Sequence, residues 1–92
     1  MHTMSHSYLE ITYRQGKPLA AYLYLPRQTG DYSADVEERR PGYLIDLAVD
    51  GRAIGIEMPS PSQVTLEGIN QVLAELHLAP LEPQELAPLV AA

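Results

Sequence analysis

The sequence predicts an α+β domain, in which an antiparallel β-meander of about five strands carries one C-terminal α-helix on one face. Two pairs of alternating apolar and polar runs, each interrupted by a turn, indicate the sheet. An apolar stripe of helical spacing after the last run indicates the helix. At 92 residues, we expect a single domain over 1–92 with a small core.

The first strand pair surrounds a loop at 14–18. A five-residue loop pairs Tyr8 with Tyr24 and Thr12 with Ala20, and it places the apolar residues of both strands on one side. A two-residue turn at Gln15 and Gly16 mixes the two faces, so we favour the longer loop. The predicted core side is formed by Leu9, Ile11, Tyr13, Leu19, Ala21, Leu23 and Leu25.

The second strand pair is organised around Asp50 and Gly51, the dipeptide typical of a two-residue type I′ turn. Such a turn pairs Ile45 with Ile56 and Ala48 with Ala53. The predicted core side is Tyr43, Ile45, Leu47, Val49, Ile54, Ile56 and Met58, and the opposite side carries Leu44, Asp46, Ala48, Ala53, Gly55 and Glu57.

Between the two pairs, the polar segment 27–40 predicts a short third strand, because Tyr32, Ala34 and Val36 alternate with polar residues. Its charges oppose edge-to-edge association of sheets. After the second pair, Thr65 is a suitable N-cap for a helix that ends near His77. The helical stripe is formed by Ile69, Val72, Leu73 and Leu76.

The two ends of the chain differ in character. Residues 1–7 show no periodicity, and we expect them to be disordered. The tail 78–92 is rich in proline and large aliphatic residues, with at most one helical turn from Pro83 to Leu86 before Pro88. So apolar a tail either closes the core of its own chain or packs on a second subunit, and both alternatives stay open.

The composition of the chain disfavours several classes of function. The chain contains no cysteine and has a net charge of -6, which fits a cytoplasmic protein and disfavours nucleic-acid binding. It has no apolar run of about 20 residues, so we expect no membrane insertion. An acidic surface suits a basic protein partner.

No set of residues has a convincing catalytic spacing, and Asp46 and Glu57 are the best candidates for a catalytic pair of carboxylates. They are diagonal neighbours on the predicted non-core face, about 7–8 Å apart, a separation found in two-carboxylate sites. Acidic residues on half-exposed strands usually serve solubility instead. We therefore expect no enzyme activity, cofactor or metal.

Three outward tyrosines on adjacent strands, Tyr8, Tyr22 and Tyr24, form the surface feature most typical of a protein interface. The alternative is that the helix or the tail covers them. With Asp46 and Glu57, these residues make up the candidate interaction surface.

The stretch 42–57, Gly-Tyr-Leu-Ile-Asp-Leu-Ala-Val-Asp-Gly-Arg-Ala-Ile-Gly-Ile-Glu, together with 11–13 and 20–25, resembles the YuzE-like family of small bacterial domains of unknown function. The likeness covers roughly 8–58 and departs from the family pattern at Leu19, where members commonly have an acidic residue. The resemblance implies a β-meander with a C-terminal helix and a bacterial origin, but no established activity. Some relatives are thought to accompany small toxin proteins.

These observations favour a small cytoplasmic, non-enzymatic protein-interaction domain that forms a homodimer. One alternative is an antitoxin-like or regulatory partner of a small basic protein. Another is a small-ligand or enzymatic domain that uses Asp46 and Glu57.

Overall fold

A computed structural model describes residues 3–4 and 7–90 of the chain. Its strands are β1 (Thr3–Met4), β2 (Tyr8–Arg14), β3 (Lys17–Tyr24), β4 (Arg27–Gln28), β5 (Asp35–Arg40), β6 (Tyr43–Leu47) and β7 (Ala53–Met58). A 3₁₀ turn at Pro61–Gln63 precedes the helices α1 (Leu66–Glu75) and α2 (Pro83–Val90).

The main sheet has five antiparallel strands in the order β2-β3-β7-β6-β5, which confirms the predicted α+β class and antiparallel sheet. The order differs from that of a simple meander, because β7 inserts between β3 and β6 instead of forming the edge. A separate ribbon pairs β1 with β4. The sequence predicts disorder over 1–7, but Thr3 and Met4 pair with Gln28 and Arg27, and residues 1–2 and 5–6 lie outside the described part.

The first hairpin has the predicted pairing but a different turn. Tyr8 pairs with Tyr24 and Thr12 with Ala20, as expected. The five-residue loop is wrong: Gln15 and Gly16 form a two-residue turn with φ angles of 52° and 79°. Leu19 forms a β-bulge, since it is an extra residue of β3 between the pairs Thr12–Ala20 and Tyr13–Pro18. Because of this extra residue, the residues beyond the bulge keep their predicted partners although the turn is shorter than predicted. The bulge also leaves Leu19 and Tyr13 exposed instead of in the core.

The central hairpin shows the same kind of departure. Ile45 pairs with Ile56 as predicted, but the predicted pair of Ala48 with Ala53 is wrong. Ala53 pairs with Leu47 and packs against the core, and Ile54 is the extra residue of a second bulge. The turn spans three residues, because Gly51 N–H donates to Ala48 O at 2.9 Å and Ala48 N–H donates to Arg52 O at 2.8 Å. Gly51 alone has a positive φ, 90°, as in a type I turn followed by a bulge. Val49 therefore lies at the turn, 73% exposed, and is not a core residue.

The third predicted strand exists but begins later, at Asp35, so Tyr32 and Ala34 precede β5. Helix α1 begins as predicted, since the Thr65 side chain accepts a hydrogen bond from Gly68 N–H at 2.9 Å. It ends in a Schellman motif: Leu78 N–H donates to Leu73 O at 2.9 Å, and His77 takes a left-handed conformation with φ 59°.

The tail closes the core of its own chain. Leu81 is held to α1 by Asn70, whose side chain bonds both the Leu81 N–H, at 2.8 Å, and the Leu81 carbonyl, at 3.1 Å. Helix α2 continues through Pro88 to Val90, so the expected single turn and single helix are wrong. Its length follows from burial, because Leu86 and Leu89 enter the core cluster.

The core lies between α1, α2 and one face of the sheet. It is formed by Ala21, Leu23, Leu25, Tyr43, Ile45, Ile56, Met58, Val64, Ile69, Val72, Leu73, Leu81, Leu86 and Leu89. Among the described residues, neither helix is long and apolar enough to cross a lipid bilayer.

Candidate interaction surface

The sheet face opposite the helices is a continuous surface that we call the outer face. Directly paired residues share a face, so the register defines two rows across all five strands. The first row is Tyr8, Tyr24, Gly55, Asp46 and Val36, and the second is Glu10, Tyr22, Glu57, Leu44 and Glu38. The structure thus places all five predicted surface residues together. Because both helices pack on the other side, they do not cover the tyrosines.

The tyrosines form a stack at one end of the outer face. The rings of Tyr8 and Tyr24 are parallel to within 13° with centroids 4.5 Å apart, and Tyr22 tilts against Tyr24 at 4.7 Å. The Arg27 guanidinium lies 5.2 Å from the Tyr24 centroid and is fixed there by a hydrogen bond to the Ile54 carbonyl. Tyr8 is 51% exposed and ends the stack.

Tyr22 is anchored across the sheet. Its hydroxyl donates to Asp46 Oδ2 at 2.6 Å, and Ser33 donates to Asp46 Oδ1 at 3.1 Å. The ring passes over Gly55, where an added Cβ would lie only 1.8 Å from the Tyr22 hydroxyl oxygen. Burial and the bond to Asp46 raise the pKa of Tyr22 to about 12. Tyr22 is therefore a neutral donor that holds Asp46 in place.

The acidic side chains of the outer face differ in how accessible they are to a binding partner. Asp46 is half-buried and already accepts two hydrogen bonds, whereas Glu57, Glu10 and Glu38 are exposed. Glu10 accepts a 3.3 Å bond from Tyr24, and burial together with that carboxylate raises the pKa of Tyr24. The outer face thus presents accessible negative charge beside aromatic rings.

Asp46 and Glu57 are diagonal neighbours on the outer face, as the sequence predicts. Asp46 is engaged by Tyr22 and Ser33, and Glu57 projects from an open sheet. Within residues 3–4 and 7–90, no group of three or more histidine and acidic side chains is placed to hold a metal ion.

A second polar cluster joins the loop after β4 to the central turn. Arg52 donates to both carboxylate oxygens of Asp31, at 2.7 and 3.1 Å, and to Asp50 at 2.7 Å. These bonds to Arg52 hold the pKa values of Asp31 and Asp50 below their usual range. The adjoining cleft, of about 270 Å³, is lined by these side chains together with Tyr32 and Val49. Because Arg52 binds Asp31 of the loop and Asp50 of the turn at once, the cluster ties the two segments together.

Sequence reasoning missed Ser33, Arg27 and the role of Gly55. A glycine inside a predicted strand is itself a signal of close approach by another group, so Gly55 was detectable. Ser33 and Arg27 lie in an aperiodic polar segment, where no spacing indicates their contacts.

Comparison of the chain with protein-family models, with curated proteins and with solved structures gave no match. The resemblance to the YuzE-like family stays a prediction.

Proposed function

We propose that this chain is a non-enzymatic protein-interaction domain whose outer face binds a positively charged segment of a protein partner. The observation that carries the proposal is a sheet face uncovered by either helix, on which a tyrosine stack adjoins exposed carboxylates. Tyrosine is enriched at protein interfaces, since its rigid ring gives contact area at low entropic cost.

Charge selects the kind of partner. The two rows of the outer face carry Glu10, Glu38, Glu57 and Asp46, and Arg27 is the cation that contacts the tyrosine stack. The negative electrostatic potential of the outer face attracts lysine and arginine side chains and repels phosphates, which argues against a nucleic acid as the partner. It also opposes packing of two outer faces on each other, because like charges would meet. A basic partner, the class in the antitoxin-like hypothesis, is therefore favoured over a face-to-face homodimer.

Cation–π contact supports the same choice. Arg27 already lies over Tyr24, and Tyr8 continues the stack with its exposed ring. A partner arginine that contacts Tyr8 would place a cation at each end of the stacked pair of rings, and Glu10 is the exposed acid on the same face of β2.

The proposal is tested by titrating the ¹⁵N-labelled protein with a synthetic peptide of alternating arginine and leucine, and with a glutamate–leucine peptide as the reference. We expect shifts confined to outer-face residues with the arginine peptide only. Glu57→Arg should weaken binding by about tenfold. Its matched control, Glu75→Arg on α1, makes the same change in net charge away from the outer face. Equal loss with both variants, or shifts spread over the helices, would overturn the proposal.

A further inference from the structure

The two edges of the main sheet are protected to different degrees. Five of the six residues of the edge strand β5 are charged, the usual defence against pairing with another strand. At the other edge, β2 carries two charges among seven residues, Glu10 and Arg14, and has no proline. Among described strands, β2 pairs with β3 alone. The β2 edge is thus open to a further strand.

The side chains of β2 on the helix side are incompletely covered. Ile11 packs against the core but is only half-buried, and Tyr13, two residues further along, is 52% exposed. A neighbouring strand with apolar residues at the matching positions would cover both side chains.

We infer that β2 pairs antiparallel with β2 of a second copy of this chain, about a two-fold axis at Thr12. The helix-side faces of the two copies lie on the same side of the joined sheet only when each residue of β2 pairs with itself or with a residue an even number of positions away. With Thr12 on the axis, Ile11 lies opposite Tyr13 and Glu10 lies opposite Arg14, and the symmetry makes each contact twice. The strand is therefore complementary to itself in both apolar surface and charge.

The neighbouring registers are poorer. An axis at Glu10 places that acid opposite its own copy, and an axis at Ile11 makes Glu10 a diagonal neighbour of both Glu10 and Arg14 of the other copy, so that repulsion offsets attraction. Only the axis at Thr12 puts opposite charges directly across from each other. The overlap then spans 10–14, five residues, which is a common strand length.

This dimer is independent of the proposed function. It joins two sheets of five strands edge to edge into one of ten, and both outer faces stay open on the same side. It differs from a dimer through the tyrosines, which would bury the outer face.

Charge reversal tests the register. Sedimentation equilibrium compares the unaltered chain with Glu10→Arg, Arg14→Glu and the double variant, with circular dichroism to verify folding. We expect a dimer whose dissociation constant rises about tenfold with either single change and returns to within about threefold of the original in the double variant. Residues 10 and 14 of one chain are too far apart along a strand to pair with each other, so recovery can arise only between copies.

Two controls separate this inference from the binding of a basic partner. Arg39→Glu, the same change as Arg14→Glu on β5, should leave the dimer unaffected. Glu57→Arg should also leave it intact, although that variant weakens basic-peptide binding. A protein that stays monomeric up to about 500 μM, which corresponds to negligible affinity, or a double variant no better than the singles, would overturn the inference.

Discussion

Replacing Gly55 with alanine tests whether the missing side chain lets Tyr22 cross the sheet. The new Cβ would lie 1.8 Å from the Tyr22 hydroxyl oxygen and 2.2 Å from its Cζ, so the ring has to move. Displacement breaks the bond to Asp46, worth about 1.5–3 kcal/mol for a charged acceptor, and overpacking adds about 1–3 kcal/mol. Alanine recovers about 0.5–1 kcal/mol of backbone entropy. The net expectation is a loss of about 2–4 kcal/mol, which lowers Tm by roughly 10–30 °C.

Urea and thermal unfolding, followed by circular dichroism, measure this loss in three backgrounds. Tyr22→Phe keeps the ring, so Gly55→Ala should still destabilise strongly. Tyr22→Ala removes the ring, so the same substitution should become neutral or stabilise by about 0.5–1 kcal/mol. If Gly55→Ala costs as much without the ring as with it, the steric argument is wrong.

Three further predictions concern backbone and protonation. His77→Gly should stabilise by about 1 kcal/mol in urea unfolding, because glycine accepts the left-handed conformation that ends α1 without strain; a loss would show that the imidazole itself contributes. Gly68→Ala should destabilise although it lies in a helix, since its Cβ would sit 2.6 Å from the buried Tyr43 hydroxyl. The loss should be smaller in a Tyr43→Phe background, where only the tighter-than-usual contacts with Thr65 Oγ1 at 3.0 Å and the ring Cζ at 3.3 Å remain. Because the folded-state pKa of Tyr22 is raised from 10.0 to about 12, its contribution to stability is complete below pH 10 and is lost as the pH rises through 12. Urea titrations across that range should show a shallower decline for Tyr22→Phe.

The pairing of both hairpins away from their turns was predictable, but the turns and the pairs next to them were not. Alternation determines which residues share a face, and a slip of one residue would place polar side chains in the core. A bulge absorbs one residue without changing that pattern, so a short turn with Leu19 bulged and a longer loop without a bulge satisfy the same alternation. Ile54 has the corresponding role in the central hairpin. Local sequence therefore specifies the register more strongly than the length of the loop.

The contacts of the candidate surface depend on strand order, which hydrophobic patterning leaves undetermined. Alternation places Tyr22 and Asp46 on one face of their own strands. They meet only because β7 lies between β3 and β6 and offers Gly55 as the crossing point. In a meander, β3 would adjoin β5, a strand without glycine, and β5 would lie between Tyr22 and Asp46. The position of the tail was also undetermined by the sequence. Its apolar residues required burial, but they did not specify whether the tail packs on its own chain or on a second subunit.

The two proposed surfaces have a joint consequence. Across the inferred dimer, β3 of one copy and β3 of the other are three strand spacings apart, about 15 Å. Tyr8 and Tyr24 lie four residues along the strand from the axis at Thr12, so the two tyrosine stacks are also displaced by about 27 Å along the strands and lie about 30 Å apart. Two basic segments joined by a linker of about nine or more extended residues could then occupy both tyrosine stacks at once. A tandem arginine–leucine peptide should bind the unaltered protein at least tenfold more tightly than a single one, by the effective-concentration argument. Arg14→Glu should remove that advantage while leaving the affinity for the single peptide unchanged. Retention of the tandem advantage by a monomeric Arg14→Glu variant would show that one outer face accommodates both segments.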